Sequence, residues 1–317
     1  MHDHAHHAHE DIGAAADANA HAAGDEDGRP RLAFIGAGRV GTVLGTAFAR
    51  AGWQVTAVAS RSEAARRRFA ELVPGVRAFE EPQAVLDEAD LIFLTVPDDA
   101  IAGAAEELHL YSGQALVHTS GALPALVLAP AMAAGTSSAS FHPLVAFADH
   151  DQALADLHGA TVALEGDASL MPVLAELAEA VGARPVRLPE GGKAAHHAAA
   201  MLAAGGLVGL LDAIVQVAAV AGLDQQQALA VYTPLARQAL ANSERLGIDR
   251  ALTGPLLRGD VGTVRDHLAV LRASAPAAVA LYVAVAGREL DIARRGGLDE
   301  ERAAQIEALL ARAGSGE

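Results

Sequence analysis

Leu32-Ala33-Phe34-Ile35-Gly36-Ala37-Gly38-Arg39-Val40-Gly41 is the stretch whose reading decides the fold. Four apolar residues run into Gly36-x-Gly38-x-x-Gly41, and helical spacing follows at Val40, Val43, Leu44 and Phe48. Gly36 permits a tight turn, Gly38 leaves the backbone open to a pyrophosphate, and Gly41, helped by Gly45, lets the helix pack on its strand. Unpaired N–H groups at the helix start, with the positive dipole end, suit phosphate. The motif alone is weak evidence. Here a strand precedes it, a helix follows, and a second strand, Gln54–Ala59, arrives at the expected distance. The expectation is a dinucleotide site at Gly36, Ala37, Gly38, Arg39, Val40 and Gly41; the alternative is a glycine-rich turn in a fold without cofactor.

Outward from this unit, strands and helices alternate. Strand candidates are Leu32–Ile35, Gln54–Ala59, Val76–Phe79, Leu91–Val96, Ala115–His118, Ser138–Phe141, Thr161–Leu164 and Pro185–Leu188, with amphipathic stretches at Glu63–Leu72, Asp98–Leu108 and Ser169–Val181. Short apolar runs between helices indicate a mostly parallel sheet covered on both faces. After Pro189-Glu190-Gly191-Gly192 no strand pattern recurs, and helical periods run over Lys193–Ala221, Asp224–Leu246, Val261–Ala273, Pro276–Arg295 and Asp299–Ala313. The predicted class is α/β: a Rossmann-type domain over 29–189, then an all-helical domain over 190–317 for substrate and dimerisation.

The 317 residues suit roughly two domains of about 150 residues. Composition is 52% hydrophobic but 3% aromatic, which points to a core of Ala, Val and Leu. The formal net charge is −16, seven of those charges lying before Arg29; such an acidic chain is a poor partner for nucleic acid or anionic membrane. With no cysteine, disulfides and thiolate chemistry are excluded. Residues 1–28, rich in His and Asp, read as a disordered tail whose His2, His4, His6, His7 and His9 would chelate metal at most weakly. No metal site is expected elsewhere. The N-terminus lacks a secretion pattern, so a cytoplasmic protein is expected.

Ser60-Arg61-Ser62 follows the second strand, where an NAD-selective fold places an acid to hold the ribose 2′-hydroxyl. Arg66 lies one helical turn beyond Ser62. Hydroxyls and a guanidinium suit a 2′-phosphate, so NADP(H) is the expected cofactor. Within the helical part, Ala198–Leu211 carries no charge, and a membrane span is the alternative reading. Asp212 and Gln216 interrupt it, and the uncharged run is shorter than the roughly 20 residues a bilayer needs. A helix apolar all round must be buried all round, which predicts a homodimer covering its free flank.

Ligands in open α/β sheets lie beyond the carboxyl ends of the strands. Three segments emerge there: Val96-Pro97-Asp98-Asp99, His118-Thr119-Ser120-Gly121 and Phe141-His142-Pro143-Leu144. Val96, Pro97 and Ser120 would stand beside the cofactor, and His142 at substrate or nicotinamide; His118 reads as a structural strand end. Lys193 opens the long helix, and His197, four residues on, shares its face. The positive dipole end and partial burial would lower the lysine's pKa and make it a proton donor or carboxylate anchor. A solvent-facing cap is its alternative, and His196 reads as a packing residue. Arg258, within Leu252-Thr253-Gly254-Pro255-Leu256-Leu257-Arg258-Gly259-Asp260, is a candidate bidentate grip on an anion, and Asp260 a helix cap.

Together GAGRVG, TVPDDAI, HTSGA, FHPL, KAAHHAAA and ALTGPLLRGD resemble a group of bacterial proteins that join a Rossmann-like domain to a helical domain of unknown function. The resemblance spans about Arg31 to Leu310. More distantly the chain is similar to β-hydroxyacid dehydrogenases, ketopantoate reductases, pyrroline-carboxylate reductases and coenzyme F420-dependent NADP reductases. The lysine that opens the helical domain of β-hydroxyacid dehydrogenases matches Lys193, while their asparagine four residues later is His197 here. The closer group has Tyr-His where this chain has His196-His197, and an asparagine near Gly205 that is absent. The resemblance implies an NADPH-dependent reductase of a small anionic 2-keto acid, ketopantoate above all. Lys193 first and His197 second would be the proton donor, Ser120 and His142 would orient the carbonyl, and Arg258 or Lys193 would meet the carboxylate. Imine reduction, hydride exchange with a deazaflavin, and a non-catalytic NADP(H) sensor are the rival readings.

Overall fold

A computed structural model describes residues 28–315, Ala134 excepted. The His-rich tail and its metal-chelating histidines lie outside the described residues. Two compact units divide between Ala200 and Met201.

In the first unit, eight strands form one sheet: β1 Leu32–Ile35, β2 Val55–Ala59, β3 Arg77–Phe79, β4 Leu91–Leu94, β5 Ala115–His118, β6 Ser137–Pro143, β7 Thr161–Gly166 and β8 Arg184–Arg187. Their order is β3-β2-β1-β4-β5-β6-β7-β8, and every pairing is parallel except β6 with β7. The crossovers carry α1 Arg39–Arg50, α2 Glu63–Leu72, α3 Asp98–Glu107, α4 His150–Leu157 and α5 Met171–Ala180. The polarity reverses once, where β7 returns beside β6 in the opposite sense after α4.

Strand periodicity divides the core. Leu32 and Phe34 face one apolar layer, while Ala33 and Ile35 face the other. The rarity of aromatic residues proves misleading about their importance. Phe34, Phe48, Phe69, Phe93 and Phe141 gather in one layer, with Phe34 and Phe93 stacked at 5.3 Å. Each fully buried ring contributes roughly 1.5–3 kcal/mol of transfer free energy, so this cluster anchors the face on which α1 lies.

The strands end before Pro189, yet the first turns of the next helix, α6 Lys193–Met201, belong to the sheet-bearing unit. The helix continues through a π-helical stretch at Leu202–Gly206 into α7 Leu207–Val220. As a continuous segment, Lys193–Val220 is long and apolar enough to cross a membrane by length and composition, although its uncharged run alone is short.

The second unit continues with α8 Gln225–Leu246, α9 Ile248–Ala251, α10 Pro255–Arg258, α11 Val261–Ser274, α12 Val279–Arg295 and α13 Glu300–Ser315. Its core lies among α10–α13, with Val264, Ala303 and Ile306 fully buried. Burial on every side of the apolar helix is not found: Leu202 is 66% and Val208 67% exposed, and Leu235 of α8 is 61% exposed. Within this unit α7 is covered on one flank only, and an apolar groove of about 740 Å³ separates it from α11 and α12.

Candidate functional site

The turn after β1 is built by two glycines. Gly36 adopts φ +109°, and a Cβ there would stand 2.5 Å from the Thr95 carbonyl oxygen. A Cβ on Gly41 would stand 2.3 Å from the Gly36 carbonyl oxygen. Both positions therefore demand glycine for the close approach of turn, strand β4 and helix α1. Thr95 locks the arrangement by donating its hydroxyl to the Gly36 carbonyl at 2.7 Å. Gly38 is different: it is exposed, nothing lies within 4 Å of its Cβ position, and it caps α1 without a side-chain hydrogen bond. The first N–H groups of α1 thus face open space, as a phosphate requires.

Beside this turn lies a cleft of about 750 Å³ lined in part by Gly38, Arg39, Ala65 and Arg68. Neither Arg39 nor Arg68 makes an ion pair among the described residues, and both are exposed. At the end of β2 the hydroxyls are engaged locally. Ser62 caps α2 by accepting from the Ala65 N–H at 3.3 Å, and Ser60 Oγ accepts from the Ser62 N–H at 3.3 Å. Arg66 is turned inward, donating to the Ser60 carbonyl and standing 3.9 Å from Glu80. Arg61 is exposed. Of the four residues read as a 2′-phosphate site, Arg61 thus projects freely while Arg66 braces the loop. Arg68 lines the cleft with Arg39.

Val96 and Pro97 form the turn into α3, where Pro97 occupies the N-cap and Asp98 and Asp99 the first turn. Asp98 receives the Ser120 hydroxyl at 2.8 Å. Ser120 Oγ in turn accepts from the Ala122 and Leu123 N–H groups at 3.2 and 3.1 Å, so this hydroxyl organises the loop after β5. His118 is wholly buried, and its Nδ1 accepts from the Ser120 N–H at 3.2 Å. Burial, with the charge of Lys193 second, pushes its imidazole down to about 4. That is the structural residue expected at this strand end.

Lys193 is no surface cap. It is 2% exposed, and its Nζ donates to the Ser120 carbonyl at 2.7 Å. Burial pushes its pKa down to about 8, against the opposing pull of Glu165 and Asp98. Glu165, a buried carboxylate on β7, accepts from the Ala125 N–H at 2.7 Å. The sequence signal for Glu165 was present: it is the lone acid in the otherwise apolar strand Thr161–Gly166.

Three imidazoles surround the next turn. His142 at the end of β6 lies 5.9 Å, ring to ring, from His196 and 6.0 Å from His197. Burial first, then the charges of Lys193, His196 and His197, holds His142 down at about 4. Burial also lowers His196. Gly121 makes room for the pair: a Cβ there would meet His197 Nδ1 at 2.5 Å and His142 Nε2 at 2.7 Å. Thus Ser120, Gly121, His142, Lys193 and His197 meet in the sheet-bearing unit, joined by Asp98, Glu165 and His196, which sequence reasoning had left out of the site. Among the described residues no set of His, Cys, Asp or Glu is arranged to hold a metal ion.

Arg258 belongs to the helical unit. It ends α10, is exposed, and is followed by Gly259 in the left-handed region. Asp260 caps α11, accepting from the Thr263 N–H at 3.1 Å and the Thr263 hydroxyl at 2.7 Å. Arg258 itself makes no ion pair among the described residues.

Two family profiles match the chain: a Rossmann-like domain over residues 16–143 and a domain of unknown function, DUF2520, over residues 160–289. No curated protein sequence matches. Among solved structures the chain is similar to protein TM1727 from Thermotoga maritima, at 26% identity and TM-score 0.67, covering 84% of this chain and 99% of that one. It is similar in fold to a Bacteroides fragilis protein provisionally described as an NADP oxidoreductase, at 22% identity and TM-score 0.65, covering 83% of this chain and 98% of that one. A reductive aminase from Aspergillus terreus, solved with NADPH and ethyl levulinate, shares the fold at 18% identity and TM-score 0.61, covering 89% of this chain and 99% of that one. The chain thus resembles Rossmann-like proteins over residues 16–143 and DUF2520 proteins over residues 160–289.

Proposed function

We propose that the protein is an NADPH-dependent oxidoreductase that reduces a small 2-keto acid, with ketopantoate the best single candidate. The observation that carries this reading is the buried Lys193 ammonium, fixed on the Ser120 carbonyl beside the loop at the carboxyl end of β5. The cofactor fits the chain: Gly38 offers an open backbone, the start of α1 offers unpaired donors, and no acid follows β2 to repel a 2′-phosphate. Gly36 to Gly41 would hold the pyrophosphate, Arg61 with Arg39 the 2′-phosphate, and Val96 and Pro97 would border the nicotinamide. The NADPH bound to the fungal reductive aminase supports the same use of the shared fold.

When bound, NADPH supplies a hydride to the carbonyl carbon. The alkoxide that develops needs a proton, and Lys193 would donate it: a pKa of about 8 keeps it charged at neutral pH yet able to release. His142 would orient the carbonyl oxygen, and the positive charge of Lys193 would attract the carboxylate. Arg258 is a second candidate for that carboxylate.

Imine reduction is the second reading, favoured by the fold shared with the reductive aminase. The exposed apolar residues of α7 and α8 support a homodimer through the helical domain; sedimentation velocity tests it, with a monomer at micromolar concentration the contrary result. The functional test is NADPH oxidation with 2-keto acids, cyclic imines and an oxidised deazaflavin. Turnover of ketopantoate supports the first reading, turnover of imines alone the second. Tight NADPH binding with no acceptor reduced points to a sensor.

A further inference from the structure

Every polar group of Ser120 already has a partner. Its Oγ donates to Asp98 Oδ2 at 2.8 Å and accepts from the Ala122 and Leu123 N–H groups at 3.2 and 3.1 Å. A hydroxyl has one proton to donate and two lone pairs, so these three contacts fill it. The Ser120 N–H donates to His118 Nδ1 at 3.2 Å, and the Ser120 carbonyl accepts from Lys193 Nζ at 2.7 Å. The residue is 4% exposed. A substrate carbonyl, which the sequence alone suggests Ser120 would orient, finds no free donor on this side chain.

The filled hydroxyl sets the backbone around it instead. Its bonds to Ala122 and Leu123 close the turn Ser120-Gly121-Ala122-Leu123 on the serine's own side chain. The Ser120 carbonyl lies inside that turn, on a planar peptide unit that the turn keeps from swinging. Asp98, in the first turn of α3, holds the same hydroxyl from outside. An ionised carboxylate only accepts, so it draws the hydroxyl proton to itself and leaves both lone pairs to the two N–H groups.

Among the described residues, the Ser120 carbonyl is the one hydrogen-bond partner of the Lys193 ammonium. Glu165 and Asp98 attract that ammonium by charge, which fixes no direction. Direct hydrogen bonds thus run from the Asp98 carboxylate to the Ser120 hydroxyl, from that hydroxyl into the turn, and from the turn's carbonyl to Lys193. We propose that Asp98 and Ser120 are positioning residues for Lys193: their hydrogen bond holds the turn whose carbonyl seats the ammonium. The bearing of this on turnover rests on the reductase reading.

The seating can be read without turnover. In full-length protein labelled with ¹⁵N-lysine, NMR measures how fast the Lys193 ammonium protons exchange with water, at mildly acidic pH where a lysine held at about 8 keeps its charge. Asp98→Ala and Ser120→Ala should speed that exchange at least about tenfold, the scale of losing a hydrogen bond to a charged group. Asp98 is exposed, so its substitution leaves packing intact. Asp98→Asn, whose amide oxygen still accepts the Ser120 hydroxyl, should recover most of the slow exchange. Unchanged exchange in either alanine variant would overturn the proposal. So would Asp98→Asn exchanging as fast as Asp98→Ala, because lost charge would then explain the effect.

In turnover, both alanine variants should lower kcat at least about tenfold with KM within a few-fold of wild type. In a Lys193→Ala background Asp98→Ala should have no further effect, since groups that act as one unit are not additive. A raised KM with kcat unaltered in Ser120→Ala would put the hydroxyl on substrate and overturn the assignment. If exchange responds as expected while the wild-type protein oxidises NADPH with no carbonyl or imine, the seating stands and the reductase reading fails.

Discussion

The Lys193 Nζ stands 2.7 Å from the Ser120 carbonyl oxygen, tying the first turn of α6 to the loop that leaves β5. This contact fixes the ammonium in a buried place, and the proposed chemistry hangs on it. Lys193→Ala should lower turnover by about 10²–10⁴-fold, the usual contribution of positioned acid catalysis. NADPH affinity, measured by fluorescence titration, should stay within a few-fold of wild type. Full turnover in that variant would remove the lysine from the mechanism.

The same burial sets a pH dependence. A proton donor must be charged, and Lys193 is held down at about 8. Reduction measured as kcat should therefore be flat near neutrality and fall as pH rises through about 8. The reverse reaction should gain over that range. A reduction rate that rises with alkali would contradict the assignment.

Stability should respond to acid through His118. Its folded-state pKa, about 4, lies below the ordinary 6.5. The unfolded chain therefore binds more protons between those values, and stability falls as pH drops through that window. Up to about 3 kcal/mol is at stake for one fully buried imidazole. Denaturant melts at pH 7 and pH 4.5 should lose less stability in His118→Gln than in wild type; equal losses would show that this ring is not the sensor.

Gly38 and Gly41 should behave differently although one motif contains both. Gly41→Ala drives a methyl against the Gly36 carbonyl and Thr95, and overpacking of that kind costs about 1–3 kcal/mol. Gly38→Ala meets nothing and has an ordinary φ of −76°, so folding should be unaffected. Its methyl would nonetheless stand where a pyrophosphate must approach, and NADPH affinity should fall at least about tenfold. Thermal melts and NADPH titration of the two variants separate fold from binding.

Much of this was legible before any coordinates. The inner strands β1, β2, β4, β5 and β7 fall where short apolar runs fall, because a sheet covered on both faces needs hydrophobic segments. The edge strands Arg77–Phe79 and Arg184–Arg187 are instead mostly exposed. Helix α4 escaped notice because His150–Leu157 is short and its apolar face is only Ala153 and Leu157. Long-range partners were the larger gap. Lys193 could be singled out by its place at a helix start, but that it reaches the Ser120 carbonyl, with Glu165 and Asp98 behind it, follows from packing between distant segments. His196 read as packing because a helical wheel places it off the Lys193 face; the neighbouring strand β6 brings His142 against it. The aromatic cluster around Phe34 was hidden by scarcity, since composition counts rings without saying that five of them share one layer.

Arg258 separates the two substrate readings. If a carboxylate is held there, Arg258→Ala should raise KM for the keto acid at least about tenfold, as loss of a charge-assisted contact does. NADPH affinity should be unchanged. An imine substrate would leave KM unaltered.

The most direct measurement is the rate of NADPH oxidation by the purified full-length protein with ketopantoate as acceptor, followed in wild type and in Lys193→Ala. The account predicts saturable oxidation of NADPH by the wild type, a much weaker response to NADH, and a collapse of turnover in the variant. NADPH that stays reduced with ketopantoate and with every other carbonyl or imine offered, or a variant as fast as wild type, would contradict it.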